Sequence, residues 1–297
     1  MREHQIEVNG INLQVHEYAH EGDVIVFTHF GGGNLMMWEG VLPYFKDRYH
    51  LITLDMRGHG KSDSPQTGYH IDQMAADVAG MMGQLDVQKA HIVGSSLGAE
   101  VGLSLATNHP DKVVSLVCEG ALYSEFGPYG INDETEAEFE KRVERTLEQI
   151  RGMTDEVYST PDELMTALQK MYQENNWWHP GMEAMLRHSI CEVDGGGYTK
   201  TWRSWARTSY MEHYYDYRFE DYYRRVRCPI LMLPDEEEIQ NERYRAAILG
   251  FSKLVEFCQI VEVPGWSHPY GWIFDPGPVS EAVLAFLDDV SSKKWNG

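Results

Sequence analysis

Gly94-Ser95-Ser96-Leu97-Gly98 sets a serine at the centre of a five-residue run that begins and ends in glycine. A hydroxyl lifted onto so tight a turn can attack a carbonyl carbon, provided a neighbouring base takes its proton. The run follows the apolar segment His91-Ile92-Val93 and opens a helical one. The hydroxyl would then stand at a helix N-terminus, where free backbone N–H groups favour negative charge. Chemistry of another kind has no comparable signal. The chain has no His-Glu-x-x-His and no Gly-x-Gly-x-x-Gly opening a helix, so neither metal nor cofactor is expected.

The elements around this serine set its frame. Residues 6–8 and 11–19 alternate about Asn9-Gly10, a hairpin signal. Val24–Thr28 and His50–Asp55 read as buried strands, with a glycine loop and a helix over 34–46 between them. Ile71, Met74, Ala75, Val78, Met82 and Leu85 recur at helical spacing. After the serine a helix runs to about Asn108, ahead of Pro110, and Val113–Cys118 is a further strand. Strands alternating with helices predict an α/β fold around a mostly parallel sheet. The rhythm breaks from about 121 to 226, where the strand signal is lost and a charged helix carries Phe139, Val143, Leu147 and Ile150 on one face. It resumes at Pro229–Leu233, with a helix near 240–251, a strand at 256–263 and a helix at 278–290. We therefore expect a core domain of residues 1–120 and 227–297, interrupted by a helical domain over 121–226.

These motifs in combination resemble the α/β-hydrolase superfamily, in its capped, serine-nucleophile branch. The likeness covers nearly all of 6–120 and 227–290, and 121–226 would be the cap. Asp55-Met56-Arg57-Gly58-His59-Gly60-Lys61-Ser62-Asp63 matches a structural turn of that family, which argues against catalytic work for His59 and Asp63. The resemblance implies a mechanism with Ser96 as nucleophile and a histidine after the last strand as general base. His268, in Pro264-Gly265-Trp266-Ser267-His268, holds that position. His29-Phe30-Gly31-Gly32-Gly33 resembles the family's oxyanion loop, with Phe30 where glycine is usual. The implied oxyanion donors are the N–H groups of Gly31 and Leu97. Aligned on the family's turn after the preceding strand, Glu237 takes the acid position. Asp235 and Glu119 are the alternatives, the latter at the strand end where some members carry the acid.

The 121–226 segment is rich in tryptophan and tyrosine, and such rings can build an apolar pocket. Trp178, Trp205 and Phe30 are the expected substrate contacts. The expected reaction is hydrolysis of a carboxylic ester, lactone or thioester of a largely apolar small molecule. C–C bond hydrolysis, perhydrolase activity and a slow-hydrolase receptor share the scaffold. A C–C substrate carries a carboxylate and would favour a cap arginine, for which Arg187, Arg203 and Arg207 are available.

Composition narrows the partners. A formal net charge of -21 repels phosphate backbones and anionic lipid, so neither nucleic acid nor membrane is an expected partner. No apolar run suggests a signal peptide or a bilayer span, so the expected setting is the cytoplasm, as monomer or homodimer. Cys118, Cys191, Cys228 and Cys258 are scattered and read as buried, reduced thiols.

Overall fold

Asn9 and Gly10 adopt φ of 49° and 77°, the left-handed pair that a two-residue hairpin turn demands. Strands β1 (Arg2–Val8) and β2 (Ile11–Tyr18) pair antiparallel across this turn. The computed structural model describes residues 1–292; residues 293–297, which end the expected core segment, lie outside the described residues. The hairpin forms one edge of an eight-stranded sheet of order β1-β2-β4-β3-β5-β6-β9-β10. Here β3 is Val24–Thr28, β4 His50–Leu54, β5 Ala90–Ser95, β6 Val113–Glu119, β9 Ile230–Met232 and β10 Cys258–Ile260. From β4 to β10 every pairing is parallel. The loops at the carboxyl ends of these strands therefore share one rim, the usual place for a ligand in such sheets.

Both faces of the sheet are covered. Helices α2 (Ile71–Gln84) and α3 (Leu97–Asn108) pack on one face, in a core with Val26, Ile52, Ile92 and Leu116. Helix α2 buries Ile71, Met74, Ala75, Val78 and Met82, as its apolar spacing predicts. The other face holds α1 (Leu42–Phe45), α11 (Gly271–Phe274) and α12 (Pro276–Ser292) around Phe27, Trp38, Phe45, Trp272 and Phe286. Residues 34–46 are not one helix as expected. They form a single 3₁₀ turn at Leu35–Trp38 and then α1, which starts afresh with Pro43 in its first turn. Proline has no N–H to continue a helix and is favoured where one begins.

Between β6 and β9 lie α4 (Glu136–Arg151), α5 (Pro161–Glu174), α6 (Met182–His188), α7 (Ser204–Tyr214) and α8 (Phe219–Tyr223). Helix α4 starts on a reciprocal cap of Thr135 and Glu138, and α5 on Thr160 followed by proline. A short antiparallel pair, β7 (Ile190–Glu192) and β8 (Tyr198–Lys200), also lies here, where no strand was expected. Three residues per strand are too few for an alternating pattern to show. The end of this region packs into the sheet core through Tyr217, Phe219, Tyr223 and Val226. Helices α9 (Glu236–Gln240) and α10 (Glu242–Ser252) follow β9.

No helix among the described residues is long and apolar enough to cross a membrane. All four cysteines are free; Cys118 is buried, while Cys191, Cys228 and Cys258 are half-buried rather than buried.

Candidate active site

Ser96 joins β5 to α3 at φ 52° and ψ -120°, a conformation that costs a non-glycine residue about 1–3 kcal/mol. The surroundings hold it there. A Cβ on Gly98 would stand 2.1 Å from the carbonyl oxygen of Thr28, so only glycine lets α3 start this close to β3. Gly120, at φ +103°, would put a Cβ 2.7 Å from Ser96 Cα. The amide of Ser96 donates to the carbonyl of Glu119 at 2.5 Å, which ties the turn to the end of β6.

His268 lies in the loop after β10, and it faces Ser96 across a cavity of about 60 Å³ that both residues line. Its Nδ1 is hydrogen-bonded to Oε1 of Glu119. The other carboxylate oxygen of Glu119 accepts from Ser95 Oγ at 2.5 Å and from Trp272 Nε1 at 3.2 Å. Glu119 is only 1% exposed. Burial pushes its pKa up, but the imidazole and the two other donors outweigh that and hold it below the ordinary carboxylate value. With Nδ1 committed to the carboxylate, Nε2 is the imidazole nitrogen left to accept a proton.

Glu237 is not brought to His268. Residues 235–238 are a helix start: Asp235 caps α9 by accepting from the amide of Glu238 at 2.8 Å, and the Glu238 carboxylate accepts from the amide of Asp235 at 2.8 Å. Glu237, one position earlier, points to solvent. The Asp-x-x-Glu spacing of a capping box was present in the sequence and is the signal that separates these acids. Glu119, one of the two alternatives, is the residue on the imidazole, whereas Asp235 is spent on its helix.

The glycine loop after β3 is pinned by two imidazoles. Buried His29 accepts from the Met56 amide at 3.0 Å through Nε2, while its Nδ1 pairs with the Phe30 carbonyl at 2.8 Å. Burial lowers its pKa to about 4, so it stays neutral. His59 accepts from the Gly32 amide at 3.0 Å. Asp63 accepts from the amide of Asn12, and Arg57 pairs with buried Asp77, so the 55–63 turn is engaged in structure. Gly31 lies against Leu97, whose Cδ2 is 3.7 Å from where a Gly31 Cβ would stand. No hydrogen bond among the described residues uses the amides of Gly31 or Leu97.

Phe30, Trp178 and Trp205 do not line the cavity of Ser96. Phe30 is buried edge-on against Tyr270, Trp178 packs on the second core, and Trp205 lies under the Arg203 guanidinium. The cavity wall is instead Leu122, Tyr123, Tyr214 and Phe219 with Glu100 and Glu238. Apolar spacing does not mark these residues, because they come from a loop and four separate helices. Glu100 is 5% exposed and accepts from the Tyr210 hydroxyl at 2.8 Å; Glu238 is 9% exposed. Burial raises both carboxyls to about 7. Neither lysine nor arginine lines this cavity.

Two expectations follow from that acidity. Glu100 binds its proton more tightly folded than unfolded, so its burial costs nothing below about pH 4 and progressively destabilises as pH rises through 7. Glu100→Gln can still accept from Tyr210 without a buried charge. It is expected to raise stability at pH 8 by about 1–3 kcal/mol and to leave it unchanged near pH 4, measured by urea denaturation. The second expectation concerns His268. Desolvation lowers its pKa, but Glu119, then Glu238 and Asp235, raise it to about 9. A base must be neutral, so activity is expected to climb with pH toward that value. Glu238→Gln preserves the helix cap and removes one of those charges. The rising limb of kcat/KM is expected to move to lower pH in this variant; a limb that stays in place contradicts the coupling.

Comparison with known proteins agrees with the fold. The family described as alpha/beta hydrolase fold matches residues 23–169. A putative carbamate hydrolase RutD of Caulobacter segnis is 37% identical over 113 residues, 37% of this chain and 42% of that protein. The 3-oxoadipate enol-lactonase 2 of Acinetobacter baylyi is 38% identical over 88 residues, 30% of this chain and 33% of its own length. The chain thus spans less than half the length of these relatives. The crystal structure of E-2-(acetamidomethylene)succinate hydrolase superposes with a TM-score of 0.73 at 26% identity, over 97% of this chain and 99% of that one.

Proposed function

We propose, for a chain that belongs to the α/β-hydrolase superfamily and whose relatives are hydrolases, that it is a serine hydrolase of carboxylic esters, lactones or thioesters. One observation carries this reading: a serine held at positive φ faces an imidazole whose far nitrogen is bound to a buried carboxylate. In this mechanism Ser96 Oγ attacks the substrate carbonyl as His268 Nε2 takes its proton. Glu119 keeps the Nδ1–H tautomer and stabilises the imidazolium that forms. The amides of Gly31 and Leu97 receive the oxyanion, a contribution of about 3–4 kcal/mol per donor. His268 returns the proton to the leaving group, and water then releases the acyl group by the reverse sequence.

The cavity wall bears on the substrate. Two buried acids, with neither lysine nor arginine, suit an uncharged or hydrogen-bond-donating group next to the scissile carbonyl, and disfavour a carboxylate there. The C–C substrate with its carboxylate therefore has no support at the serine. Arg187 pairs with Glu183 and Asp162 at the surface, Arg203 pairs with Asp155, and Arg207 faces a different cavity.

The test is an alkyl fluorophosphonate with peptide mapping, joined to a panel of p-nitrophenyl esters, lactones and thioesters. The expected result is a single adduct on Ser96 and many turnovers on at least one ester. An adduct on another residue, or only a few turnovers per chain as a receptor would give, counts against the reading.

A further inference from the structure

A second, larger cavity of about 440 Å³ lies wholly within the region between β6 and β9. Its size falls in the range of small-molecule sites, about 300–1,000 Å³. Helix α5 supplies an apolar wall of Leu164, Leu168 and Met171, and Trp202 closes another side. Lys200 on β8 and Arg207 on α7 also line it, as do Asp155 and Glu156.

These two cations have no ion-pair partner among the described residues, although Asp155 and Glu156 share the wall. Neither has a carboxylate within 4.0 Å among the described residues, although eight other arginines do. Asp155, in the same wall, is already taken by Arg203 and Ser204, and Glu156 by the Tyr158 hydroxyl. The Nε of Arg207 is buried with no partner, and its Nη2 meets only the thioether of Met153. Lys200 stands at the solvent edge. Desolvation of its ammonium, and then the Arg207 guanidinium beside it, lower its pKa, against a smaller upward pull from Asp155 and Glu156. Two like charges aimed at one space, one of them with a buried unpaired donor, are costly unless something negative enters.

We infer that this cavity binds a small molecule with an apolar body and a carboxylate-type anionic end, the anion held by Lys200 and Arg207. Leu164, Leu168 and Met171 recur at helical spacing and give the body a continuous apolar bed. Trp202 separates this cavity from the glycine loop: its ring stacks on His59 at 4.0 Å and lies 3.6 Å from where a Gly32 Cβ would stand. The inference does not depend on catalysis by Ser96.

Isothermal titration of the full chain with octanoate, and separately with octanamide, tests it. Octanoate is expected to bind saturably and about tenfold or more tighter than the amide, because a hydrogen bond to a charged partner is worth that much. Arg207→Met and Lys200→Met should each remove most of this preference, while Arg207→Lys should keep part of it. Ser96→Ala should bind octanoate as the native chain does, so turnover and binding are judged separately. Equal affinity for acid and amide, no binding of octanoate, or a preference unchanged in Lys200→Met and Arg207→Met would each overturn the inference.

Discussion

Glu119→Gln is expected to lower kcat on an ester substrate by about 10³–10⁴-fold, whereas Glu237→Gln changes it by less than about twofold. The amide of glutamine is nearly the shape of the carboxylate, so the site should stay packed. Two things change. The amide can donate to His268 Nδ1 and so favour the tautomer that leaves no acceptor facing the serine. It also carries no charge to stabilise the imidazolium. The hydrogen bonds from Ser95 and Trp272 hold the carboxylate in place and leave it no room to escape to solvent. Steady-state kinetics on both variants decide the point. A loss of similar size in Glu237→Gln would return the acid role to the loop after β9.

Ser96→Ala is expected to remove turnover by about 10⁵–10⁶-fold and to abolish the fluorophosphonate adduct. Residual catalysis of about 10³–10⁴-fold over water should remain, from the oxyanion donors and binding. The fold should tolerate the change, because alanine is no larger than serine. It still suffers the positive φ, so stability should shift by no more than about 1 kcal/mol. Full activity in this variant, measured on protein free of contaminating esterase, would dismiss the mechanism.

Much of the architecture was legible because it rests on local patterns. Asn9-Gly10 can hardly do other than turn the chain, and Val24–Thr28 and Val113–Cys118 are apolar because parallel strands are buried on both faces. Ser96 and His268 were readable because each follows a strand and has glycine close by. The acid was not. A carboxylate is identified by what surrounds it, and the neighbours of Glu119 come from positions 95, 268 and 272. Glu237 and Asp235 sit in an acidic run whose reciprocal helix cap, Asp235 with Glu238, only the structure displays. The aromatic residues of the 121–226 region failed in the same way. Trp178 and Trp205 drew attention by type, yet Tyr214 and Phe219 are the ones that reach the cavity of Ser96. The composition of a loop-rich segment does not say which ring faces inward.

The wall of that cavity has a consequence for how a catalytic cycle would end. Hydrolysis of an ester would create a new negative group where a neutral carbonyl stood, beside Glu100 and Glu238 and with neither lysine nor arginine to retain it. Like charges in a confined, partly dry space repel strongly. An acid product would thereby leave more readily than the ester entered, most of all at alkaline pH, where both neighbours are ionised and His268 has lost its proton.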